Sequence, residues 1–168
     1  SFIGQAAYDR ACAAADLDIV EADGRRRLGG RGFGTEEPVL PANTQAVLCV
    51  AGLSALGQNL ADVFFRLDEA ERQAYENVWT VPPDVLSALS ADRAAVTPPL
   101  LAYLWQQGCL RRLATDKSPG PAIPVLPVLN QADTVQACEQ AQEIFDSMTE
   151  PVGLITSLRI GGGGETCI

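Results

Sequence analysis

Four short, largely apolar runs, separated by stretches of helical character, constrain this chain more than any other feature: Leu17–Val20, Gln45–Val50, Val125–Leu129 and Val152–Leu158. Runs of this length and β-branched content suit strands buried on both faces. Strands that alternate with helices predict an α/β fold, a mostly parallel sheet with helices on both faces, as a single domain over residues 1–168. In open sheets of this kind, ligands bind just beyond the carboxyl ends of the strands. The residues that follow each run are therefore the first candidates for chemistry.

The first run ends in Glu21-Ala22-Asp23-Gly24 and then Arg25, Arg26 and Arg27. Carboxylates at a strand end can hold magnesium or polarise a water, and arginines there can meet phosphates. Asp23 is the better metal or water ligand and Glu21 the second, with strand alternation placing both on one side if the strand runs that far. The plain alternative is a strand that reaches solvent and turns, with a solvated basic loop after it. Past the third run comes Asn130-Gln131-Ala132-Asp133, followed by a stretch of helical character. GTPases read guanine with an Asn/Thr-Lys-x-Asp motif in this context, the aspartate accepting from N1–H and the exocyclic amine. Here Gln131 stands where the lysine would be, and Asp133 could equally be a helix cap. Near the end, Gly161 to Gly164 with Glu165 and Thr166 has the outline of a phosphate loop. Its lysine is an acid, however, and only Cys167 and Ile168 follow, so it is read as a chain end.

Composition narrows the function classes. The net charge of −9 argues against a broad nucleic-acid surface, so Arg25 to Arg27 stand out against an acidic background. No apolar run is long enough to span a membrane and no signal peptide is visible, which gives a cytoplasmic expectation. The chain has no histidine, which excludes the familiar nucleophilic triads. Its five cysteines are widely spaced without Cys-x-x-Cys, a pattern that argues against zinc and against a disulfide framework.

Between the runs, helices are expected over Phe2–Ala15, over Asn59–Val78 with a break near Arg66, from Pro82 and Pro83 to Leu89, and from Pro98 and Pro99 to Gln107. Gly108 reads as the stop of the last of these, Gly29 to Gly34 as a loop, and Gly52 to Gly57 as a compact turn or short helix. The prolines at 124 and 127 count against a central position for the third run. Thr134 or Asp133 caps a helix to about Met148.

The order of these pieces resembles the YqeC family, accessory proteins of selenium-dependent molybdenum hydroxylases. The matching residues are Glu21-Ala22-Asp23-Gly24-Arg25-Arg26, Glu37-Pro38-Val39-Leu40-Pro41, Val50-Ala51-Gly52-Leu53-Ser54-Ala55-Leu56-Gly57, Arg66 and Leu129-Asn130-Gln131-Ala132-Asp133. The resemblance implies a P-loop NTPase-like nucleotide-binding fold that uses GTP or ATP with Mg²⁺. On it, Asp23 with Glu21 would position the metal or its water shell, Asn130 and Asp133 would touch the base, and Arg25 and Arg26 would meet phosphates or a partner. Family members begin with a strand, a Gly-Lys-Thr loop and a helix, and nothing before Leu17 supplies that unit. The expectation is thus a fragment of a larger domain, inactive alone, and a Mg-dependent NTPase only with an upstream phosphate loop. The implied role is in maturing a selenium-dependent molybdenum hydroxylase or its cofactor, with that hydroxylase as partner. The alternative is a non-catalytic interaction module that docks a partner without nucleotide turnover.

Overall fold

The computed structural model describes residues 5–21, 30–31, 40–76, 81–91, 93–111, 113, 123–149 and 153–157. Helix α1 spans Gln5–Ala14, and the two-residue strand β1 is Gly30–Arg31. Strand β2 is Val47–Gly52, followed by a tight turn of helix over Leu53–Ala55 and by α2 at Leu60–Val63. Strand β3, Phe64–Phe65, separates α2 from α3, Leu67–Glu76. Then come α4 (Pro83–Leu89) and α5 (Pro98–Trp105), β4 (Val125–Asn130), α6 (Val135–Asp146) and β5 (Leu154–Thr156).

The principal sheet has the order β2-β4-β5, and every pairing in it is parallel. Pro127, Val128 and Leu129 are buried in succession. Because successive side chains point to opposite faces, both faces of β4 are covered. Although two prolines precede or interrupt it, β4 is central. The backbone explains this. The Pro127 carbonyl approaches Gly153, one residue before the β5 ladder begins at Leu154. A residue's N–H and C=O point to the same side of a strand, so the missing donor falls just outside the ladder. Gly153 permits this approach, since a Cβ there would lie 2.7 Å from the Pro127 oxygen and would collide with the Phe145 ring.

The core lies between the sheet, α4, α5 and α6. Val85, Leu100, Leu101, Leu104, Leu129 and Ile144 are its fully buried large residues. Helix α6 contributes Ala141, Ile144 and Phe145, a helical spacing that brings one stripe inward. The Trp105 and Phe145 rings meet at 6.1 Å, tilted by 47°, and Trp105 Nε1–H donates to Cys49 Sγ at 3.2 Å. This bond joins α5 to β2 inside the core.

Several expectations are corrected. Leu17–Val20 is not a strand, and Leu17 and Ile19 are 76% and 85% exposed. A strand exists through its ladder, and among the described residues none pairs with this run. Gly30–Arg31, expected in a loop, pairs in parallel with Phe64–Phe65 as a separate two-stranded sheet. Gly108 does not stop its helix: a wider π turn, Gln106–Leu110, carries the helix past it. Cys138 is disulfide-bonded, one exception within the reading against a disulfide framework. The break near Arg66 is present, with Arg66 at a φ of 57° between β3 and α3. Among the described residues no helix is long and apolar enough to cross a membrane.

Candidate functional site

Parallel pairing brings the carboxyl ends of β2, β4 and β5 to one edge, where register places Gly52, Asn130 and Thr156 in a single row. The loops leaving that row are tied to one another. Ala132 N–H donates to the Thr156 carbonyl at 3.0 Å. Ser54 N–H, after β2, donates to Gln131 Oε1 at 3.2 Å. Thr156 Oγ1 lies 3.2 Å from Asn130 Oδ1, which also accepts from Gln131 N–H at 2.8 Å. Ser157 Oγ–H donates to Asp133 Oδ1.

Gln131 adopts a φ of +72°, a left-handed conformation that costs a non-glycine residue about 1–2 kcal/mol. Its own N–H and side-chain oxygen are both engaged in holding it there. The glutamine in place of lysine therefore ties the β4 loop to the β2 loop. Asp133 is not the cap of α6. That role belongs to Thr134, whose Oγ1 accepts from Ala137 N–H at 3.1 Å.

What remains after these bonds is chemically specific. Asn130 has its oxygen doubly engaged, and among the described residues its Nδ2 amide has no partner. Asp133 has one oxygen held by Ser157, and among the described residues the other has none. The edge thus presents two amide donors and a carboxylate acceptor, fixed from behind by backbone and hydroxyl groups.

Of the other sequence-predicted site residues, Glu21 is exposed and lies outside any helix or strand. Asp23, Arg25 and Arg26 lie outside the described residues. The expected sharing of one edge by Asp23 and Asn130 lies outside them too. Among the described residues there is no cluster of three or more Asp, Glu, Cys or His that could hold a metal. Ser54, Thr156 and Ser157 were missed by sequence reasoning. Their signal was present, since each follows or ends an apolar run, the position that had made Asn130 a candidate.

A cavity of about 310 Å³ shares no residue with this edge; it is lined by Pro82, Asp84, Tyr103, Gln106 and Arg111 among others. Burial raises the Tyr103 hydroxyl pKa above its ordinary value, with the Arg111 charge opposing.

The sequence model of the YqeC protein family matches residues 2–68. Over those residues, the chain is similar to the YqeC family. The matched YqeC stretch carries Glu21, Asp23, Arg25, Arg26, Ser54 and Arg66, and it ends before Asn130 and Asp133. No curated protein and no solved structure matches the chain.

Proposed function

We propose that this chain is a nucleotide-binding accessory protein of P-loop NTPase-like architecture, serving maturation of a selenium-dependent molybdenum hydroxylase or its cofactor. The similarity to the YqeC family over residues 2–68 supports the accessory role. The nucleotide reading is carried by one observation: an Asn130 amide and an Asp133 oxygen, at the carboxyl edge of a parallel sheet, that have no partner among the described residues. Donors from Asn130 suit the N7 of a purine, and the Asp133 oxygen suits the donors of its Watson–Crick edge. GTP and ATP are the candidate ligands. In this reading Asp23, with Glu21, positions Mg²⁺ or its water shell, and Arg25 and Arg26 meet the phosphates. A bound nucleotide would supply the phosphates on which those groups act.

A second reading has its own observation. Leu17, Ile19 and Val20 are exposed together, and so is Leu48 on β2, which suits a module that docks a partner, such as the hydroxylase, without turning over nucleotide.

Amide shifts of the full chain, followed on addition of GDP, ADP and CDP with Mg²⁺, separate the readings. Nucleotide binding predicts shifts at Asn130, Gln131, Asp133 and Thr156 with either purine, at a high-micromolar to millimolar Kd, about −4 to −6 kcal/mol. A cluster silent to all three nucleotides, or one answering CDP as strongly as the purines, contradicts it.

A further inference from the structure

The bonds that β5 makes to the β4 loop divide into two kinds. Thr156 Oγ1 lies 3.2 Å from Asn130 Oδ1 and 3.4 Å from the Leu129 carbonyl; its hydroxyl donating to the nearer holds the Asn130 oxygen and leaves the amide donors for a ligand. Ser157 donates to one Asp133 carboxylate oxygen, which fixes the direction of the group while both oxygens keep a lone pair to accept from two adjacent donors. These two holds have different consequences for a purine. An N7 acceptor is common to adenine and guanine, so whatever orients the Asn130 donors serves both bases. The Watson–Crick edge differs: guanine offers two adjacent donors, N1–H and the exocyclic amine, whereas adenine offers its amine beside an acceptor nitrogen. An ionised carboxylate only accepts. Fixed in position, it pairs with guanine and sets an unpaired acceptor against adenine.

We infer that the site selects guanine over adenine nucleotides, and that Ser157 sets this selectivity by fixing Asp133 while Thr156 supports purine binding without discriminating. The inference rests on the nucleotide reading above. Neither hydroxyl touches the ligand; both are positioning residues. Ser157 is exposed, beside a carboxylate that Thr134 has relieved of helix capping, so its bond to Asp133 serves no buried structure.

The test compares GDP and ADP affinities of the full chain as wild type, Ser157→Ala, Ser157→Thr and Thr156→Val, using amide-shift titrations suited to weak binding. Wild type is expected to prefer GDP. Ser157→Ala should weaken GDP about three- to tenfold with ADP little changed, and Ser157→Thr, which keeps the hydroxyl, should restore the preference. Thr156→Val should weaken both ligands by a similar factor and leave their ratio alone. Equal losses of GDP and ADP in Ser157→Ala, or no loss, overturn the inference while the nucleotide reading stands. Wild type binding both purines equally overturns the inference as well. No response of the wild type to any nucleotide overturns both.

Discussion

Residues 17–21 and 125–133 have the same outline in sequence, an apolar run that ends in polar and acidic groups, yet they end in opposite states. The second run is the middle of a parallel sheet, with Leu129 completely buried. The first lies exposed, with Ile19 among the most solvent-facing apolar residues described. The difference carries through to the acids. Asp133 is held by Ser157 and stands one residue from the Ala132–Thr156 backbone bond. Glu21 follows a segment that no described strand supports. An apolar run gains a strand's burial, and a terminal carboxylate gains a fixed direction, only from neighbours that complete the ladder.

The sharpest way to break this comparison is to truncate one side chain in each run. Leu129→Ala should cost about 2–5 kcal/mol in denaturant unfolding, since it removes a fully buried side chain and leaves a cavity. Ile19→Ala should stay within about 0.5 kcal/mol. Equal costs would show that 17–20 is packed in solution as a strand. Next in size is Gly153→Ala, which forces a methyl onto the Pro127 carbonyl and the Phe145 ring. It should cost about 1–3 kcal/mol, and a neutral result would mean that β5 approaches β4 less closely than described. Thr134→Ala removes the α6 cap and should cost about 1 kcal/mol without changing nucleotide preference, which separates the helix cap from Asp133.

The smallest effect is at alkaline pH. Tyr103 has its folded-state pKa raised by burial, with Arg111 opposing. The unfolded chain therefore ionises first, and the contribution of the neutral phenol is complete below pH ~10 and is lost as pH rises through the folded value. Tyr103→Phe should make unfolding less sensitive to pH in that window, and an unchanged slope would contradict the assignment.

Much of the sheet was legible because its strands and helices carry local signals. Pro83, Pro98 and Thr134 mark helix starts, and the runs at 47–52 and 125–130 have the length and composition of buried strands. What was not legible depends on partners distant in sequence. The central place of β4 despite Pro127 depends on where β5 begins, and the exposure of Leu17–Val20 depends on what lies beside it. The same holds at the site. Asn130 and Asp133 could be named from a four-residue pattern, whereas the choice of Thr134 over Asp133 as cap needed the fold. The link from Ser157 to Asp133 spans 24 positions of chain, so no local pattern announces it.

The central claim is that the end of β4 reads a purine base, and Asp133→Asn tests it most directly. The substitution replaces an acceptor with a donor facing the N–H groups of guanine, and should cost roughly 2–4 kcal/mol of GDP affinity. Xanthine has a carbonyl where guanine has its exocyclic amine, so XDP should gain relative to GDP in the same variant. A loss of stability alone weakens both ligands and leaves their ratio unmoved. A GDP-to-XDP ratio that falls in Asp133→Asn is the predicted result. A ratio identical to wild type would mean that Asp133 reads no base.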